Sequence, residues 1–251
     1  RYPLRRLGRG IADLRLFSRH RDDIARYLKR DVELAADPDD TNVIYLHDLA
    51  QSSKRTVTVP KLLSLSAQHL QPGRLHLGQD LITGDDLWLP LEDFTHTLIA
   101  GETGSGKSSW TVSLIEGLRA QGEACEHLYL CDLKQVEFAR YADTATNVSV
   151  VDELETLFEV GERVHQTMLE RLARAKQAGE RNSSEPLIVV VIDEFANLML
   201  LDTWLEAEAK KQHKRLISRL IDMGMRARSA NIRLVISLQH PIDKHIPSAL
   251  K

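Results

Sequence analysis

Gly101-Glu102-Thr103-Gly104-Ser105-Gly106-Lys107-Ser108 carries glycine, lysine and a hydroxyl at every fixed position of the pattern G-x-x-x-x-G-K-[ST]. Glycines let the backbone fold back so that several N–H groups converge on one point, which suits phosphate oxygens. Lys107 can then reach the β and γ oxygens of a nucleoside triphosphate, and Ser108 can offer its hydroxyl to Mg²⁺. Ser109 completes the expected phosphate-binding set. A chance match in 251 residues is on the order of one in a few hundred from average residue frequencies. The expected ligands are therefore ATP and Mg²⁺.

A second element supports this chemistry. Ile188-Val189-Val190-Val191-Ile192 is an unbroken apolar run closed by Asp193-Glu194. A carboxylate at the end of a buried strand can hold Mg²⁺ through water, and its neighbour can polarise an attacking water. Asp193 is thus the expected metal residue and Glu194 the expected general base. The bland alternative is that such a pair caps a helix. Gln239 ends the run Leu234-Val235-Ile236-Ser237-Leu238, where it can face the γ-phosphate from a neighbouring strand. Asp132-Leu133-Lys134 ends another strand on the carboxyl edge, where open α/β sheets bind ligands.

These residues need elements to hold them. Thr97 to Ala100 reads as a short strand before the glycine turn, Ser108 to Leu118 as a helix, and Leu128 to Cys131 as a strand. Asp152 with Glu155, and Thr203 with Glu206, form the spacing of capping boxes, predicting one helix up to Gly179 and a second toward Arg228. Leu187 to Ile192 suits a strand buried on both faces. Asn231 can end the second helix in the left-handed region, before a last strand. Strands alternating with helices predict an α/β fold with a mostly parallel sheet flanked by helices. Upstream, residues 1 to 36 read as largely helical, up to the punctuation of Asp37-Pro38-Asp39-Asp40. The expected division is residues 1–74, a basic helix and accessory segment of helical or mixed structure, and 75–251, the nucleotide-binding domain.

Composition narrows the class. The net charge of −3 hides ten Lys/Arg against Asp13, Asp22 and Asp23 in residues 1–30, an arm that could attract nucleic acid or could be a solvated helix. No run of about 18 apolar residues occurs, and Arg1-Tyr2-Pro3-Leu4 lacks the features of a signal peptide, so the expectation is cytoplasmic. Cys125 and Cys131 have no metal-ligand spacing and read as buried, reduced thiols.

Four blocks resemble the FtsK/SpoIIIE family of DNA translocases. They are Leu77 to Ser108, ending in the glycine turn; Asp132-Leu133-Lys134 with Glu137 and Tyr141; Ile192-Asp193-Glu194-Phe195-Ala196-Asn197-Leu198; and Arg228-Ser229-Ala230-Asn231-Ile232-Arg233-Leu234 with Ser237-Leu238-Gln239-His240-Pro241. They occur in family order. Leu133 stands where the family has Pro, Asn197 where it has Asp, and His240 where it usually has Arg. The resemblance implies a RecA-like P-loop ATPase that assembles as a homo-hexameric ring and moves double-stranded DNA through its pore. It also implies that the sequence is a fragment, and that segregation, secretion or membrane-anchored partners belong to a longer protein. Chromosome segregation and conjugative plasmid transfer both fit. The alternative is an ATPase of the same family that powers protein export, and a third reading is a nucleotide-dependent switch with little turnover. Glu194 and Gln239 favour hydrolysis over the switch. Lys210-Lys211-Gln212-His213-Lys214-Arg215 is the candidate grip on DNA phosphates, against the alternative of a helix face balanced by Glu206 and Glu208.

Overall fold

The computed structural model describes residues 2–5, 32–36, 43–48, 70–80, 85–102, 104–142 and 147–239. Contacts divide the chain into two compact units, Arg1–Lys61 with Gly78–Leu87, and Leu62–Leu77 with Trp88–Lys251.

In the first unit, β1 (Tyr2–Arg5), β2 (Val32–Ala36) and β3 (Val43–Asp48) form an antiparallel sheet in the order β1-β3-β2. This corrects the helical reading of residues 1 to 36 at both ends. Val32-Glu33-Leu34-Ala35-Ala36 holds good helix formers, but pairing with β3 overrides that weak preference. The Asp37-Pro38-Asp39-Asp40 cluster therefore falls between two paired strands. Most of the basic arm lies outside the described residues. Next in the chain, β4 (Arg74–Gln79) and β5 (Asp86–Pro90) pair in a two-stranded sheet.

The second unit is built on β6 (Thr97–Ala100), α1 (Lys107–Arg119), β7 (Cys125–Cys131), β8 (Val148–Val151), α2 (Leu154–Ala178), β9 (Leu187–Ile192), α3 (Phe195–Leu200), α4 (Ala207–Arg226) and β10 (Ile232–Leu238). Its five strands pair in the order β6-β10-β9-β7-β8, and every pairing is parallel. All six residues of β9 are buried, because the sheet is covered on both faces. Val189 and Val191 pack with Val112, Ile115 and Leu118 of α1. Ile188, Val190 and Ile192 point the other way, onto Val164 and Met168 of α2 and Leu216, Leu220 and Met223 of α4. This period of two follows from the strand pleat.

Two polar devices hold the sheet's edges in register. The Leu234 N–H donates to His96 Nδ1 at 2.9 Å, tying the entry of β6 to β10. Burial, with Arg233 and Arg228 nearby, pushes His96 down to about 4, so its ring stays neutral and able to accept. Arg171, 1% exposed, donates to the carbonyls of Pro186 (2.8 Å) and Ala230 (3.1 Å) and to Glu126 at 2.6 Å. Arg171→Ala strands those carbonyls and opens a cavity, so we expect a loss of about 3 kcal/mol of stability. Urea unfolding of the variant checks it.

Burial pushes the thiols of Cys125 and Cys131 up to about 12; both are free and buried, as expected of inert, protonated cysteines. Among the described residues, no helix is long and apolar enough to cross a membrane.

Candidate functional site

Because the sheet is parallel, the carboxyl ends of β6, β7, β9 and β10 open on one edge, and the candidate residues follow those ends directly. The β6 strand runs into the glycine turn, and the Gly101 N–H donates to the Leu238 carbonyl at 3.2 Å, joining that turn to the end of β10. Gly104 and Gly106 have φ of 82° and 92°, a region that favours glycine. A Cβ on Gly101 would meet the Ser105 side chain, which would have to turn its hydroxyl away to make room. Thr103 lies outside the described residues.

Helix α1 starts at Lys107 because left-handed Gly106 cannot be helical, and no side chain caps it. Its first N–H groups are therefore free to meet an anion, with the helix dipole favouring negative charge there. Ser108 and Ser109 sit in that first turn. Lys107 Nζ donates to Ser237 Oγ at 2.8 Å and lies 3.6 Å from Asp193 Oδ1. Ser237 Oγ in turn donates to Asp193 Oδ1 at 2.9 Å. Sequence reasoning assigned Ser237 no role; the available signal was a hydroxyl in a buried strand whose preceding residues Leu234-Val235-Ile236 are apolar, two residues before Gln239.

Glu194 follows Asp193 in the left-handed region, at φ 48° and ψ 59°. This turns the chain sharply from β9 into α3 while keeping the carboxylate at the sheet edge. Glu194 Oε1 accepts the Gln239 N–H at 3.4 Å, so these two candidates meet through Gln239's backbone. Glu194 Oε2 is buried without a hydrogen bond among the described residues, and Lys134 Nζ is 3.8 Å from it. Leu133, Lys134, Asp193, Glu194 and Asn197 line one small pocket. The blocks of Asp132 and Asp193 thus meet in that pocket, and the Gln239 block joins them through its N–H bond to Glu194, whereas His240 and Pro241 lie outside the described residues.

The residues present fit a nucleotide with its cation. The glycine turn leaves room for phosphate, Lys107 carries the opposing charge, the hydroxyl and carboxylates are hard oxygen donors suited to Mg²⁺, and the orphaned Glu194 oxygen can accept from water. Fold and site together define a P-loop ATPase of the RecA-like type.

The sequence model of the FtsK/SpoIIIE family matches residues 66–187, just under half of the chain. The chain is 30% identical over 203 residues to the DNA translocase FtsK of Staphylococcus aureus (strain Mu50 / ATCC 700699), an alignment covering 69% of this chain and 24% of that protein. It is 27% identical over 249 residues to the DNA translocase SftA of Bacillus subtilis (strain 168), covering 92% of this chain and 25% of that one. The chain thus spans about a quarter of the length of these curated relatives. Among solved structures, the pCW3 conjugation coupling protein TcpA, in a monomer form with ATPγS, superposes with a TM-score of 0.66 at 23% identity, covering 94% of this chain and 67% of that one.

Proposed function

We propose that this chain is the ATP-hydrolysing motor segment of a DNA translocase, acting on double-stranded DNA as a homo-oligomeric ring of six. The observation that carries the reading is the convergence of Lys107, Asp193, Glu194 and Gln239 at one sheet edge in a chain whose relatives are named DNA translocases. ATP binds with its phosphates in the glycine turn from Gly101 to Gly106, against the first turn of α1. Lys107 leaves its position beside Asp193 to meet the β and γ oxygens, and Ser108 and Asp193 hold the cation. Mg²⁺, when bound, would supply positive charge against the phosphates. Glu194 takes a proton from the attacking water, its orientation fixed by the Gln239 N–H. The Gln239 side chain reports on the γ-phosphate.

A route from this site toward DNA runs through α3 and α4. Phe195 opens α3 directly after Glu194, and the buried His213 of α4 bonds the Leu198 carbonyl at 2.7 Å. A movement at Glu194 therefore has a short mechanical path to the basic cluster. Lys210 pairs with Asp202 at 3.8 Å and Arg215 with Glu162 at 3.1 Å, not with the helix's own Glu206 and Glu208. Lys211 and Lys214 are exposed and are the better placed to meet phosphate.

The decisive measurement is the ATPase rate with and without duplex DNA, followed by replacement of Lys211 and Lys214 with alanine. We expect DNA to raise turnover. The double variant should weaken DNA binding for all sequences alike and flatten its salt slope by up to about 2. An unchanged slope would assign these lysines to the solvated surface and leave the basic arm of residues 1–30 as the DNA contact. Turnover indifferent to DNA but raised by a protein substrate would favour the protein-export reading. Light scattering with ATPγS and DNA tests the ring.

A further inference from the structure

The nucleotide site has a third wall, made by the loop after β7. This loop is wound on one side chain. Asp132 is 1% exposed, and its carboxylate accepts four backbone N–H groups: Oδ1 from Lys134 at 3.1 Å, and Oδ2 from Val136, Glu137 and Phe138 at 2.9, 2.7 and 3.2 Å. Gln135 takes the left-handed φ of 58° that closes the turn, and its N–H donates to the Asp132 carbonyl at 3.0 Å. Buried Phe138 and Tyr141 anchor the loop in the core on the α1 side of the sheet. A carboxylate that collects this many donors fixes the backbone of residues 134 to 138 as firmly as a short stretch of secondary structure.

The product of that winding is the position of Glu137. Its Oε1 accepts the hydroxyl proton of Ser108 at 3.0 Å, across 29 positions of sequence. A serine hydroxyl has one proton and two lone pairs. With the proton committed to Glu137, the lone pairs of Ser108 remain available to a cation. The Ser108 proton does not go to Asp193, whose Oδ1 accepts the Ser237 hydroxyl and faces Lys107.

We propose that Glu137 is a positioning residue of the nucleotide site, holding the Ser108 hydroxyl in the rotamer that presents its oxygen to Mg²⁺, with Asp132 as the post on which Glu137's loop is wound. The proposal rests on the P-loop reading of residues 101–108. It concerns hydrogen-bond acceptance by Glu137 and does not make it a direct ligand. Side chains that orient a metal ligand in this way change metal affinity by about 10- to 100-fold when removed.

The test is binding of a fluorescent, slowly hydrolysed ATP analogue, titrated with Mg²⁺ and repeated in EDTA, for wild type, Glu137→Ala, Glu137→Gln, Ser108→Ala and the double variant Ser108→Ala/Glu137→Ala. Thermal melting checks that each is folded. We expect Glu137→Ala to raise the Mg²⁺ concentration at half-saturation by about tenfold or more and to leave binding in EDTA within about twofold of wild type. Glu137→Gln should restore most of the Mg²⁺ response, because the amide oxygen still accepts from Ser108. In the Ser108→Ala background the Glu137→Ala change should add nothing, since the bond it supports is already gone. An unchanged Mg²⁺ response in Glu137→Ala overturns the proposal. So does a Glu137→Gln variant as impaired as Glu137→Ala, which would mark the charge itself as the cation's contact. Failure of the underlying P-loop reading looks different: wild type would then bind the analogue with no Mg²⁺ dependence.

Discussion

Lys107→Ala is expected to abolish measurable nucleotide turnover, with a loss of at least about 100-fold, and to weaken nucleotide binding in parallel. The lysine is the only positive charge that the described geometry places at the start of α1 on the inner side of the glycine turn, 2.8 Å from Ser237 and 3.6 Å from Asp193. Phosphoryl transfer spreads charge over the γ oxygens, and a preorganised donor aimed at that charge in a site with little water contributes factors of this order. The variant also leaves Asp193, 11% exposed, without its cation, though Ser237 still donates to it. Some loss of stability must therefore be separated from loss of the site. For a chain of this size about 1 kcal/mol moves the melting midpoint by roughly 2–4 °C, so a variant that melts within a few degrees of wild type yet neither binds nor turns over nucleotide has lost the site alone. Wild-type hydrolysis in Lys107→Ala would sink the assignment of the P-loop.

Legibility of the sequence depended on what fixes each element. Thr97–Ala100 and Leu187–Ile192 were predicted to the residue, because an apolar run bounded by glycines or acids has one reading in a sheet covered on both faces. Gly179 was legible as the end of α2, and Asn231 as a left-handed residue before the last strand; they have φ of 72° and 52°, and Asn231 closes the 3-10 turn Ala227–Ala230 that follows α4. The two capping boxes were misread. Helix α2 has Glu153 as its N-cap and α4 has Glu206, both extended and neither making a side-chain cap bond. Those helices begin where the chain leaves the sheet or a preceding turn, and packing of Val164, Met168, Leu216 and Leu220 fixes them more than their first residues do. Strand β8, Val148-Ser149-Val150-Val151, is too short to show a period, and α3 is a single short helix launched by the backbone of Glu194. The four blocks of the site were visible as residue types. Their connections were not: the Lys107–Ser237–Asp193 chain and the Ser108–Glu137 bond join residues 44 to 130 and 29 positions apart, and only the parallel sheet brings them to one edge.

Glu194→Gln should keep nucleotide binding within about threefold of wild type while turnover falls by roughly 10²- to 10⁴-fold, the range associated with a positioned general base. Gln preserves the size of the side chain, and its amide oxygen can still accept the Gln239 N–H now bonded to Glu194 Oε1 at 3.4 Å. What it loses is the ability to take a proton, together with the attraction of Lys134 Nζ, 3.8 Å from Oε2. The bland reading of an acidic pair after a strand was a helix cap, and the geometry argues against it. Glu194 precedes α3 but makes no side-chain cap bond to it, and its left-handed backbone costs on the order of 1 kcal/mol in a non-glycine residue. A cap would lower the energy of that turn; here the turn is strained and the carboxylate faces Gln239 and Lys134 instead, with one buried oxygen unbonded among the described residues. An acceptor oxygen free of hydrogen bonds among the described residues, held at the open end of a parallel sheet, suits a water-activating group. Rapid-quench single-turnover kinetics of the variant with ATP would separate the steps: binding at near wild-type affinity followed by arrested hydrolysis supports the base. Hydrolysis within about tenfold of wild type would transfer the role to another carboxylate, the first to examine being Glu137 beside Ser108.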